Sequence, residues 1–97
     1  MIFEFYKIIQ INFKKDFVKS YKNLDLKIKI KTDKAIIVFK NNPFDISLNN
    51  HKLSGDYQWF GSINVTWDYR IIFYELSNGT YELVELVDIW THSQLYK

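Results

Sequence analysis

The residues "SNGT" at 77–80 separate two runs in which polar and apolar side chains alternate, "YRIIFYEL" and "YELVELVDI". Asn-Gly at such a place is the strongest short-range hairpin signal, because both residues accept the positive φ that a tight turn between twisted strands requires. A third run of the same period, "WFGSINVTW", precedes them. Three consecutive period-two runs commit the C-terminal half to strands.

The N-terminal half carries a different period. "FYKIIQI" has strand composition, and Asn12 follows it as an N-cap candidate. In "FKKDFVKSYKNL", Phe13, Phe17, Val18 and Tyr21 fall at i, i+4, i+5 and i+8, which makes one apolar helical stripe with lysines on the other side. The next stretch is ambiguous. "LKIKIK" alternates like a strand, but extension through "TDKAIIVFKNN" aligns Ile28, Thr32, Ala35, Ile36 and Phe39 on one helical face. Its length and the absence of a turn signal select a second helix, ending near Asn41–Asn42 before Pro43. "NNPFDISLNNHKLSGD" reads as a loop. The expected fold is therefore α+β, in the order β-α-α-β-β-β, with two N-terminal helices packed on one face of an antiparallel sheet. No repeat, low-complexity tract or linker divides residues 1–97, so one domain is expected.

Composition limits the function classes. Apolar residues make up 47% and aromatic residues 19% of the chain, which argues against disorder. No apolar run approaches the roughly 18 residues needed to cross a bilayer. "MIFEFYKIIQ" contains a glutamate and lacks a small-residue cleavage site, so it does not read as a signal peptide. The absence of cysteine removes disulfides and thiolate metal sites and suits a cytoplasmic protein. The net charge of +2 hides an asymmetry: residues 1–40 hold ten lysines against four acids, whereas residues 41–97 hold three basic residues against seven acids. A basic half can concentrate near polyanions, although lysines also simply solvate amphipathic helices.

The polar residues with chemical potential gather around the predicted sheet. His51 precedes its first C-terminal strand, Asn64 lies within that strand, and Asp68, Tyr69 and Arg70 lie at the next junction. His92 and Tyr96 follow the last strand. No pair has metal-ligand spacing such as H-E-x-x-H, and phosphate-loop and nucleophile-elbow patterns are absent, so neither metal nor cofactor is expected. Two imidazoles, a carboxylate and a guanidinium suit proton transfer around a phosphodiester. Attack by a 2′-hydroxyl needs a base, an acid for the leaving 5′-oxygen, and positive charge beside the phosphorane. Each residue also has a plainer use: His51 closing a loop, Asp68 forming a turn, Arg70 facing solvent, and Tyr96 pinning the C-terminus.

"NPFDISLNNHKLSGDYQWF", "INVTWDYRIIF" and "DIWTHSQLYK" together resemble the YafQ-like branch of the RelE/ParE-type toxins of type II toxin–antitoxin systems. The resemblance covers about residues 6–97, and its motifs are H-x-L-x-G, D-Y-R-I-I-F and T-H-x-x-L-Y. It implies an endoribonuclease that cleaves mRNA without a metal, usually on the ribosome, and that a cognate antitoxin holds silent. The free chain is expected to be a monomer. The family's catalytic positions fall on His51, Asp68 and His92, and its substrate contacts on Asn64, Tyr69, Arg70 and Tyr96. Asn64 stands where some members carry another histidine, and Gly61 where relatives often carry arginine or a large residue. Lys14, Lys15, Lys22, Lys27, Lys29 and Lys31 are the expected contacts to RNA or ribosome backbone. The alternative is a catalytically impaired RelE-like module that only pairs with an antitoxin.

Trp59, Trp67 and Trp90 stand where the family pattern usually has glycine. Two readings stay open. Either they are genuine aromatic residues of the site, or their codons are UGA, read as glycine in the source lineage. Where such a backbone needs positive φ, a bulky side chain would cost about 1–3 kcal/mol.

Overall fold

The structure is a computed structural model that describes residues 9–95. A short strand, β1 (Gln10–Phe13), leads into α1 (Lys15–Lys22) and α2 (Leu26–Asn41). A meander then follows: β2 (His51–Lys52), β3 (Gly61–Asn64), β4 (Tyr69–Glu75) and β5 (Leu83–Thr91), closed by the one-turn helix α3 (His92–Leu95). This is the α+β class and element order that the sequence predicts, with β2 and α3 added.

Asp25 starts α2 by accepting a 3.0 Å hydrogen bond from the Ile28 N–H. The alternating "LKIKIK" is helical because the longer apolar stripe outweighs it: Thr32, Ala35 and Phe39 are buried along one side. The helix ends at Asn41, two residues before Pro43. Asn12 does not cap α1. It lies in β1 opposite Glu85, and Lys14 takes the N-cap position without a side-chain bond. Phe13 likewise belongs to the strand, so the α1 stripe begins at Phe17.

The sheet has five strands in the order β1-β5-β4-β3-β2. All neighbours are antiparallel except β1 and β5, which pair in parallel with Gln10 opposite Leu83. The sheet is therefore mixed rather than wholly antiparallel. Alternation shows which side of a strand is buried but not which way its neighbour runs.

Phe39 of α2 meets Phe73 of β4 with ring centroids 5.2 Å apart, and Ile63, Ile71 and Ile89 form a buried cross-strand row on the same side. The register sets a second row, Asn64–Arg70–Trp90, one residue along. Because successive side chains point to opposite faces, this row lies on the other face of the sheet from the Ile63–Ile71–Ile89 row. Val87 of β5 is left without a partner in the register, which places a bulge on β5 opposite the Ile72–Phe73 step of β4. Gly61 is required by close packing: a Cβ there would stand 2.7 Å from Phe73 Cε1.

The Asn78-Gly79 turn has positive φ at both residues, 58° and 89°, as the hairpin signal requires. The connection is wider than a two-residue turn and is organised by Glu75. Its carboxylate accepts from the Ser77 N–H and hydroxyl, the Gly79 N–H and the Tyr81 N–H. These bonds hold Tyr81 at φ 56°, with its ring against Phe39, Phe44 and Phe73. None of the three tryptophans has positive φ. The expected backbone strain at Trp59, Trp67 and Trp90 is therefore absent.

Candidate active site

The chain before β2 builds the site. Asp45 caps a short 3-10 turn, Ile46–Leu48, by accepting from the Ser47 N–H at 3.0 Å. Asn49 ends the turn in the left-handed region at φ 45°, a conformation that asparagine tolerates better than most residues. Its carbonyl thereby serves two site residues. His51 Nδ1 lies 2.9 Å from it, and Arg70 Nη2 donates to it at 3.2 Å. With Nδ1 as the donor, His51 carries its basic lone pair on Nε2. The 3.5 Å separation of Arg70 Nη2 and His51 Nδ1 follows from their shared acceptor.

Arg70 is 6% exposed. Its Nε donates to Ser62 and its Nη1 to Asn64, so guanidinium, amide, hydroxyl and imidazole form one connected cluster on β2, β3 and β4. Burial of a charge is tolerable only with such multiple bonding.

His92 and Asp68 meet at a second point. The His92 backbone N–H donates to the Asp68 carbonyl at 2.7 Å and lies 3.3 Å from its carboxylate Oδ1. Asp68 thus holds the start of α3, and its bond goes to the His92 main chain. A cleft of about 220 Å3 beside His51 is lined by His51, Lys52, Leu53, Ser54, Tyr57 and, from α3, Leu95, with neither Asp68 nor His92 in its wall. Leu95 is three residues beyond His92, and side chains at that spacing share one side of a helical turn.

Tyr69 is not with this cluster. It packs against the helix-side core, opposite Thr91, while its neighbour Arg70 points the other way. Tyr96 lies outside the described residues.

The six candidate lysines do not share one surface. Lys14 lies 3.9 Å from Glu85, Lys29 stands 5.8 Å over the Tyr21 ring, and Lys15, Lys22 and Lys27 are exposed along the helices. Lys31 alone of the six approaches the site. With Lys34, Ser47 and Asn64 it lines a cleft of about 210 Å3.

Sequence reasoning missed Asn49, Ser62 and Lys34. Only the Asn-Asn pair before His51, suited to a left-handed backbone, hinted at the first. Trp90 is tied in by an indole N–H bond to Asp88 at 3.0 Å and an edge contact with Tyr57 at 5.1 Å. Trp59 and Trp67 are instead 70% and 88% exposed. Among the described residues, no three His, Cys, Asp or Glu side chains converge as a metal site. No described helix is long and apolar enough to cross a membrane.

No protein-family model and no curated protein matches the chain. Solved structures share its fold. A YoeB/ParE toxin from Agrobacterium tumefaciens superposes with a TM-score of 0.69 at 19% identity, covering 86% of this chain and 98% of that one. A chain of the E. coli DinJ-YafQ toxin–antitoxin complex gives 0.70 at 20% identity, covering 93% and 100%. A chain of the archaeal RelE-RelB complex from Pyrococcus horikoshii OT3 gives 0.70 at 15% identity, covering 90% and 98%. The fold is therefore that of the RelE-like toxins.

Proposed function

We propose that this protein is the toxin of a type II toxin–antitoxin pair, an endoribonuclease that cleaves mRNA in the cytoplasm, on the ribosome. The observation that carries the reading is the bonding of His51 and Arg70 to one carbonyl, beside a cleft lined by His51 and by Leu95 of α3. The shared fold and the order of the sequence motifs support it.

In this reading His51 Nε2 takes the 2′-hydroxyl proton. The 2′-oxygen bonds to phosphorus, the P–O5′ bond breaks, and His92 protonates the leaving 5′-oxygen, which leaves a 2′,3′-cyclic phosphate. Each such group contributes roughly 10²–10⁴-fold. Arg70 places positive charge below the phosphorane while fixing His51 through Asn49, and Asp68 positions His92 by anchoring its main chain. The bonded Asn64 acts as a support for Arg70, not as an acid or base. Lys31 and Lys34 lead the RNA backbone toward Asn64. A cognate antitoxin is the second partner.

The test is growth arrest on induction, with primer-extension mapping of transcript ends, for the wild type, His51→Ala and His92→Ala. Discrete new ends in the wild type that vanish in both folded variants support the enzyme. Arrest without new ends, or unchanged cleavage by His51→Ala, refutes it. Antitoxin binding with no cleavage at all would establish the binding-module alternative.

A further inference from the structure

The loop between β2 and β3 carries an aromatic residue that none of the proposed steps employs. Tyr57 closes a 3-10 turn, Gly55–Tyr57, in which Gly55 has φ 64°. The Leu53 N–H donates to the Phe60 carbonyl at 2.9 Å, and the Phe60 N–H to the Tyr57 carbonyl at 2.9 Å, so the loop backbone is tied at both points. Two rings fix the tyrosine side chain. Trp90 meets it edge to face with centroids 5.1 Å apart, and Phe60 lies 6.4 Å away. Trp90 is itself held: its indole N–H donates to Asp88 at 3.0 Å, and Asp88 accepts the Ser20 hydroxyl of α1 at 2.5 Å. Neither Trp90 nor Phe60 lines the cleft beside His51, so both hold Tyr57 from outside it. Tyr57 does line that cleft and is 42% exposed. A ring fixed from behind and open to a concave surface has the form of a stacking platform.

We propose that Tyr57 is the stacking platform for one nucleobase, that of the nucleotide whose 2′-hydroxyl His51 deprotonates. The proposal deepens the nuclease reading and rests on it. The attacking ribose must stand at His51 Nε2, and its own base lies within one nucleotide's reach of that point. Tyr57 is the aromatic residue that shares the cleft with His51, and Leu53 and Leu95 add apolar wall around it. A base can enter only when unstacked from its neighbours, so the substrate is a single strand. Stacking recognises the face of a base rather than its hydrogen-bonding edge. The subsite therefore ranks purines above pyrimidines, and either above a ribose with no base. A stacked base also fixes the rotation of its ribose, which aims the 2′-hydroxyl at Nε2. The ring does this without its hydroxyl.

The test uses ribosomes programmed with synthetic mRNAs that differ only at the nucleotide 5′ to the mapped cut. That nucleotide is adenosine, uridine or an abasic ribose. Single-turnover cleavage is measured for the wild type, Tyr57→Phe and Tyr57→Leu. A further mRNA carries 2′-deoxy-2-aminopurine at the same position. It lacks the attacking hydroxyl, and quenching of its fluorescence reports stacking whether or not the protein cleaves. Circular dichroism checks folding, and Tyr57→Met takes the place of Tyr57→Leu if the latter unfolds.

The expected result is that the wild type and Tyr57→Phe cleave after adenosine faster than after uridine, and lose about tenfold or more at the abasic ribose. Tenfold corresponds to about 1.4 kcal/mol, which is within what one stacked base contributes. Tyr57→Leu should cleave all three substrates at the slow abasic rate, and it should no longer quench 2-aminopurine. A wild type indifferent to the base, or a Tyr57→Leu protein that keeps the base preference, overturns the proposal. So does a Tyr57→Leu protein that is slower on all three substrates by one common factor, because the ring would then only support the loop. Quenching by the wild type that Tyr57→Leu abolishes, with no cleavage by either, refutes the nuclease and leaves the subsite standing. Cleavage without quenching does the reverse.

Discussion

The His92 backbone N–H donates to the main-chain carbonyl of Asp68 at 2.7 Å, which ties α3 to the turn between β3 and β4. The bond needs neither side chain, so the position of α3 survives substitution of either residue. His92→Ala is accordingly expected to keep the fold while cleavage falls by roughly 10²–10⁴-fold. Asp68→Ala removes only the carboxylate at the start of α3. It should cost about 0.5–2 kcal/mol, as for a lost helix cap, and reduce cleavage less than His92→Ala does. Paired unfolding and single-turnover measurements check both. Equal losses of activity would give the Asp68 carboxylate a chemical role.

Gly61 faces the Phe73 ring, with a virtual Cβ 2.7 and 2.8 Å from Cε1 and Cε2. Phe73 is itself buried against Phe39, so it has little room to retreat. Gly61→Ala should therefore destabilise by about 1–3 kcal/mol through overpacking. Gly61→Arg, with a longer side chain, should cost more. Urea denaturation reads both. A neutral Gly61→Ala would show that Phe73 can turn aside.

Glu75 makes the hairpin connection sensitive to acid. Burial raises its pKa, but bonds from the Ser77 hydroxyl and the Gly79, Ser77 and Tyr81 N–H groups outweigh burial and leave it below the ordinary carboxylate value. A depressed folded pKa gives stability that is fully present above the unfolded value, near 4.5, and lost as pH falls through the folded value. Glu75→Gln should remove about 1–2 kcal/mol at neutral pH and flatten stability against pH in the acid range. Parallel acid titrations of the two proteins, followed by tryptophan fluorescence, test this. Curves of the same shape would mean that other carboxylates dominate.

The sequence makes some of this arrangement plain and conceals the rest for physical reasons. Alternation locates β3, β4 and β5, and the spacing of Thr32, Ala35 and Phe39 locates α2, because burial imposes its period on the chain. Alternation also implies that Tyr69 and Arg70 point to opposite faces, so only one of them can belong to the His51 cluster. The parallel partnership of β1 with β5 leaves no such trace, since direction is set by where distant segments pack. Asn49 and Ser62 act through a main-chain carbonyl and a buried hydroxyl, functions that neither residue type announces. At the three tryptophans, residue type misleads: Trp90 is bonded and packed, whereas Trp67 is 88% exposed at a turn that does not need positive φ.

Arg70 offers the sharpest separation between holding the site and holding the substrate. It is 6% exposed, and its Nε, Nη1 and Nη2 donate to Ser62, Asn64 and Asn49 respectively. A guanidinium so engaged positions His51 through their shared acceptor, and lysine cannot reproduce its planar fork. Arg70→Lys should therefore destabilise the fold by about 2–4 kcal/mol, because buried polar partners lose their donors. It should also lower kcat with little change in KM for an RNA substrate. Were Arg70 instead a direct clamp on one phosphate, KM would rise and the slope of log binding against log salt would fall by about 0.7–0.9. Lys31→Glu is the internal standard, since its side chain lies in the open cleft beside Asn64 and should give that salt signature. An Arg70→Lys protein with unchanged stability and the salt response of Lys31→Glu would move Arg70 from scaffold to substrate contact.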